Sequence, residues 1–189
     1  MEYDGTTLLF TPTGVQRGIV PGMQYYRLNS ALVGANVNTV QNIIGVGCTL
    51  SSSTVYAFDC LFVGTKTVGT TSHSINFGFG GTATLNNIGY FALADNQNGT
   101  LPIVTANTAD IGYVNTATLR VLIPSSNAAT LVYIMRINGT VSVNAGGTFI
   151  PQYSLTAAPG GAYTTAIGSY MAIYPVGASG SNTNVGTWA

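Results

Sequence analysis

The chain has 189 residues, 46% of them hydrophobic and only 5% charged, with five acids and five bases that cancel; an average soluble domain carries about 25% charged residues. The length suits one domain with a substantial core, and the charge balance excludes several partners. Arg17, Arg27, Lys66, Arg120 and Arg136 stand singly, so no basic cluster exists to neutralise nucleic-acid phosphates or to form the polar face of a membrane-surface helix. No uninterrupted apolar run of about twenty residues offers a membrane span. No basic stretch followed by an apolar one opens the chain as a signal peptide would. Gly, Thr, Ser and Asn supply the polarity instead. Such a surface suffers little self-repulsion and favours association, which points to an assembled protein.

Good helix formers are scarce, Thr, Val, Tyr, Ile and Phe are abundant, and Gly and Pro recur at short intervals, the composition of an all-β chain. In chain order, a strand is predicted over 6–11, after the Asp4-Gly5 turn signal. The next covers 22–29, with the pair Tyr25-Tyr26. A short helix capped by Asn38 fits 38–44. Strand 46–50 is short. Strand 54–64 places Tyr56, Phe58, Cys60 and Phe62 on one face and Val55, Ala57, Leu61 and Val63 on the other. A strand apolar on both faces belongs in the middle of a sheet, and Asp59 on its second face would need a partner if buried. Strand 73–79 alternates, with His73, Ile75, Phe77 and Phe79 in phase. Strand 88–94 follows, then 117–123, ended by Pro124. Strand 130–143 is the longest, and its apolar phase runs through Asn138-Gly139. That pair is therefore read as a bend or bulge rather than a hairpin, with the turn at 144–147. Strands 148–156 and 169–176 complete the set, and 95–110 and 157–167 read as longer loops. About ten strands without crossover helices predict one antiparallel β-sandwich domain over 1–189, a jelly roll being the natural form. The Gly/Ser/Asn-rich tail, 177–189, carries one apolar anchor, Trp188, suited to plugging a subunit interface.

The chemistry-bearing residues are few. His73 is the only histidine, with no acid near it in sequence to orient it as a general base, so it reads as a packed strand residue. Gly78-Phe-Gly-Gly-Thr-Ala83 fits a dinucleotide fingerprint in letters only. No helix follows it to hold a pyrophosphate, and neither Asp95 nor Asp110 stands at the ribose-binding spacing. Glycoside hydrolysis needs two carboxylates at a set gap, and Asp59, Asp95 and Asp110 are the aspartates left once the N-terminal Glu2 and Asp4 are set aside. Asp95-Asn-Gln-Asn-Gly99 lacks the second acid and terminal glutamate of a calcium loop and reads as a polar turn. One histidine with the separated Cys48 and Cys60 is too little for zinc, and the two cysteines read as buried free thiols. Asn98-Gly-Thr100 and Asn138-Gly-Thr140 are sequons by letter in an Asn/Gly/Thr-rich chain. No catalytic residue, metal or cofactor is expected. Among eleven tyrosines, Tyr56 and Tyr133 are expected in the core, and Tyr113, Tyr153 and Tyr163 at a surface contact.

Several long stretches carry a family pattern: M-E-Y-D-G-T-T-L-L-F-T-P at the start, R-G-I-V-P-G-M-Q-Y-Y-R-L-N-S, G-T-T-S-H-S-I-N-F-G-F-G-G-T-A-T-L-N-N-I, I-N-G-T-V-S-V-N-A-G-G-T-F-I-P-Q-Y-S-L and the closing G-A-S-G-S-N-T-N-V-G-T-W-A. With them the chain resembles virion surface modules of tailed bacteriophages, similar to the C-terminal heads of phage fibre proteins. The resemblance implies a β-sandwich, usually trimeric, displayed outside the particle, with no catalytic residues to carry over. The chain opens on Met1, where a fibre head module would begin, and no shaft repeat precedes it. That arrangement favours a free-standing homotrimer on the major capsid protein, a decoration or cement protein of the phage head. The alternative is the receptor-binding head of a fibre or tail, recognising a host-surface glycan or protein. Neither role involves nucleic acid or a membrane.

Overall fold

The computed structural model describes residues 9–10, 16–17, 22–97, 110–180 and 182. Among them lie fifteen strands and no helix. In chain order these are β1 (Leu9–Phe10), β2 (Gln16–Arg17), β3 (Gln24–Arg27), β4 (Leu32–Val33), β5 (Gln41–Asn42), β6 (Cys48–Leu50), β7 (Thr54–Lys66), β8 (His73–Gly80), β9 (Thr84–Gln97), β10 (Asp110–Val114), β11 (Arg120–Ser126), β12 (Leu131–Ala145), β13 (Gly147–Leu155), β14 (Thr164–Thr165) and β15 (Tyr170–Ala178).

Two antiparallel sheets stack face to face, and β1 and β2 pair separately. The larger sheet runs β10–β9–β12–β7, and the far edge of β7 is shared by β15 and β14, which pair onward with β3 and β4. The smaller sheet runs β11–β8–β13, with the far edge of β13 shared by β5 and β6. Within the run from β6 to β13, the first strand pairs with the last, β7 with β12, β8 with β11 and β9 with β10. This is a long hairpin rolled up on itself, a jelly roll. The chain thus forms the expected sandwich, extended past β7 by β3, β4, β14 and β15.

The period of two places the core. On β7, Tyr56, Phe58, Cys60 and Phe62 are buried while their neighbours are half-exposed. Met135, Ile137 and Val141 of β12, Ile88 and Tyr90 of β9, and Ile75 and Phe77 of β8 point into the same layer. Phe79 is the hub, stacked on Phe149 at a centroid distance of 4.4 Å and edge-on to Phe77 and Phe58 at 5.0 and 5.2 Å. Offset and edge-to-face contacts of this kind add about 0.5–1.5 kcal/mol each beyond the area they bury.

Several sequence expectations are corrected. Residues 38–44 form bends and β5 rather than a helix. β11 continues through Pro124 because it is an edge strand whose register slips twice, and an edge tolerates proline. Asn138-Gly139 is neither hairpin nor bulge, since β12 pairs there without interruption with β7 and β9, and the irregularity falls at Ser142–Ala145 instead. The β12–β13 connection is Gly146 alone. β9 extends through 95–97, which had read as the start of a loop, and β14 falls inside the expected loop 157–167.

One close approach constrains the centre of the larger sheet. Gly64 of β7 lies directly opposite Tyr133 of β12, and the Tyr133 ring folds over it into the space a Cβ would occupy. The Tyr133 ring is fully buried and cannot retreat into solvent. Gly64→Ala is therefore expected to destabilise by about 1–3 kcal/mol, the usual cost of overpacking, read as a lower midpoint in urea unfolding. An unchanged midpoint would show that the ring has room to move.

Candidate functional site

The one histidine lies at the start of β8 and faces the core in phase with Ile75, Phe77 and Phe79, as expected, with only 2% of its surface exposed. Its Nδ1 is 2.6 Å from the Thr71 carbonyl, which can only accept, so Nδ1 carries the hydrogen. Nε2 then accepts from the Tyr163 hydroxyl at 2.7 Å, and the two rings meet edge-on at 5.6 Å. Both ring nitrogens are thus committed. Burial holds the imidazole below its ordinary range, the Thr71 contact opposes this, and the nearby Lys66 charge pushes in the same direction as burial.

Lys66 ends β7 on its inward face and is 1% exposed. Its Nζ donates to the carbonyls of Gly69 at 2.6 Å and Ala128 at 2.8 Å. The ammonium therefore staples the β7–β8 connection to the β11–β12 connection. Burial lowers its pKa. With Tyr133 and Tyr163 in tilted contact at 5.5 Å, these residues form a polar knot closing one end of the sandwich. Burial drives the Tyr133 and Tyr163 phenols well above their usual range. Among the described residues the knot holds no carboxylate, and both ring nitrogens of His73 are already bonded, so it ties the end of the fold together.

Asp59 and Asp95 do not join it. Asp59 lies on the outer face of the larger sheet, paired with Arg136 at 3.0 Å and accepting from the Tyr170 hydroxyl at 2.8 Å, an exposed cluster worth little by itself. The hydrogen bond to Asp59 raises the Tyr170 phenol. Asp95 shares that face but lies opposite Ile134, which in turn lies opposite Val63, two strands across and four residues along from Asp59. Asp110 takes its backbone place on β10 opposite Ala94. Among the described residues no three His, Cys, Asp or Glu side chains come together. The glycine string ends β8, and Gly81, at φ +116°, turns the chain into β9 against the Thr148 backbone.

Tyr56 and Tyr133 are core residues, as expected. Tyr153 and Tyr163 are buried rather than at the surface, because both point between the sheets, one on the inward phase of β13 and the other capping His73. Burial pushes the Tyr153 phenol up to about 12. Tyr113 is at the surface, 75% exposed, and Trp188 lies outside the described residues. Both cysteines are free. Cys60 is buried, whereas Cys48 is only half-buried, and desolvation raises its thiol to about 11. Sequence reasoning missed Lys66, although it continues the buried even-numbered phase of Tyr56 to Phe62.

Among the described residues, three surface cavities bordering the sandwich stand out. One of about 190 Å³ lies between β3 and β6 and is lined by Tyr25, Tyr26, Val46 and Met171. One of about 350 Å³ separates the edges of β10 and β11, beside Tyr113, Asn115, Arg120 and Val121. The third, about 450 Å³, is bordered by Leu32, Val33, Gln41 and Tyr153. None is lined by an acid or by His73. No family model matches the chain, and neither a curated protein nor a solved structure matches it.

Because His73 is held neutral in the folded chain and titrates near 6.5 when exposed, the unfolded state binds the extra proton as acid is added. Its contribution to stability is whole above pH 6.5 and is lost as pH falls below it, at no more than about 1.4 kcal/mol per pH unit. Urea midpoints measured between pH 7.5 and 5.5 should fall, and His73→Gln should flatten that slope. An equal slope in the variant would remove His73 from the effect.

Proposed function

We propose that this chain is a non-enzymatic structural protein of a tailed-phage virion, a decoration or cement protein that stabilises the head shell as a homotrimer bound to the major capsid protein. The observation that carries the reading is the jelly-roll pairing of β6 to β13, an architecture recurrent in viral shells and in lectins. The sequence resemblance to phage surface modules and the near absence of charge support it. The dispersal of His73, Asp59 and Asp95 over two layers agrees with a binding role rather than turnover.

The alternative is a receptor-binding head of a fibre or tail, and the β10–β11 cavity favours it. There an exposed Tyr113 ring lies near Asn115 and Arg120. An aromatic surface beside polar donors is what a host glycan would use, and apolar area with a few polar groups is the general form of a small-ligand site.

Copy number separates the two readings. Quantitative mass spectrometry of purified virions, with antibody labelling in electron micrographs, should find hundreds of copies on the head. A handful at the tail would overturn decoration in favour of the receptor-binding head. Absence from the particle would overturn both.

A further inference from the structure

The two sheets gape where β10 and β11 form their neighbouring edges. Neither strand pairs across the gap, and the cleft between them holds about 350 Å³, within the lower part of the range for small-ligand sites. Small residues keep it open. Gly112 of β10 lies opposite Ala92 of β9, and a Cβ placed on Gly112 would meet nothing within 4 Å. Val114, Val121 and Leu122 give the cleft apolar surface, and Asn115 adds an amide. At the rim the Tyr113 ring reaches across Gly89, where a Cβ would meet its hydroxyl at 2.7 Å, so a missing side chain gives this exposed aromatic ring its place.

Two groups at this cleft lack the partners that their kind has elsewhere in the molecule. Arg136 pairs with Asp59, Arg27 donates to Asn29, and Lys66 donates to two carbonyls. Arg120 lines the cleft with its guanidinium in no ion pair or hydrogen bond among the described residues. The second group is the Tyr90 hydroxyl, on the inward face of β9 opposite the cleft residue Val114 and buried without a hydrogen-bond partner. Burial pushes this phenol up to about 12, and Arg120 is near enough for its charge to pull the other way. An orphaned buried hydroxyl is destabilising. One within reach of an uncommitted cation calls for a ligand that brings an anion and hydrogen-bonding groups together.

We propose that the β10–β11 cleft binds a carboxylate-bearing sugar of the uronic acid class, with the carboxylate on Arg120, ring hydroxyls on Tyr90 and Asn115, and a C–H face against Val114 and Tyr113. The inference deepens the receptor-binding reading, on whose cavity it rests, by naming the ligand class. The planar guanidinium fork matches a carboxylate bidentately. One arginine, with no second base lining the cleft, suits a single negative charge rather than a phosphate or a polyanion. A sugar ring carries hydroxyls at its edge and C–H groups on its faces, as the mixed walls require. A purely apolar acid would leave Tyr90 and Asn115 without partners.

The test titrates the full chain with sodium glucuronate, glucose, sodium acetate and inorganic phosphate, following backbone amide chemical shifts. Glucuronate should shift the amides of residues 112–122 saturably and bind about tenfold more tightly than glucose or acetate, the effect of one charge-assisted hydrogen bond. Arg120→Gln, at an exposed position, should bring glucuronate down to the level of glucose. Tyr90→Phe should weaken both sugars severalfold with the urea midpoint unchanged or higher, since the hydroxyl bonds nothing in the free protein. A purely structural hydroxyl would instead lower the midpoint and leave sugar affinity alone. Gly112→Leu, whose Cβ enters open space, should abolish binding while keeping the β circular-dichroism spectrum. Acetate or phosphate binding as tightly as glucuronate would overturn the inference, as would wild-type affinity in the Arg120 variant, shifts confined to other surfaces, or no binding at all. Glucuronate binding by a protein absent from the virion would sink the receptor-binding reading and leave the site standing. Location at the tail without binding would do the reverse.

Discussion

β12 is hydrogen-bonded along its length to β7 on one side and to β9 on the other, and the phase of that ladder decides which half of the larger sheet meets the core. A slip of one residue would carry Tyr133, Met135 and Ile137 to the outside and bring Arg136 and Asn138 in. The rings of Phe79 and Phe149 lock the phase from the opposite layer by packing on Phe58 and Tyr90, which flank β12 on β7 and β9. The rolled-up hairpin from β6 to β13 can close only if this register holds, because each outer pair is laid down upon the one inside it.

The strands that carry this register were legible in the sequence because their alternation is clean. β7, β8 and β12 lie within a few residues of where Tyr56–Phe62, Ile75–Phe79 and Leu131–Val143 put them. β4, β5 and β14 were missed because two residues of pairing leave no period to read. Tyrosine was the least legible residue. Its ring suits a core and its hydroxyl suits a surface, so Tyr153 and Tyr163 could be placed only once the His73 and inter-sheet contacts were known. The His73–Thr71–Tyr163 chain joins residues ninety positions apart, and no local pattern announces it. The Asn138-Gly139 pair misled for the opposite reason, since a strong turn signal was overridden by pairing on both sides.

The two faces of the larger sheet divide the work. The inner face spends its aromatic residues on one cohesive core, and the polar knot of Lys66, His73 and Tyr163 ties its end together through hydrogen bonds. The outer face keeps apolar side chains at half exposure and places its ionic cluster among them.

Lys66 is the only lysine in the chain, and it is sealed under two carbonyls. Apart from the N-terminus, the folded protein therefore presents no primary amine to acylating reagents, aldehydes or carbamylation. Dyes and fixatives that rely on lysine would pass it by while tagging its neighbours. Modification of Lys66 itself would report the rare moments when the end of the sandwich opens.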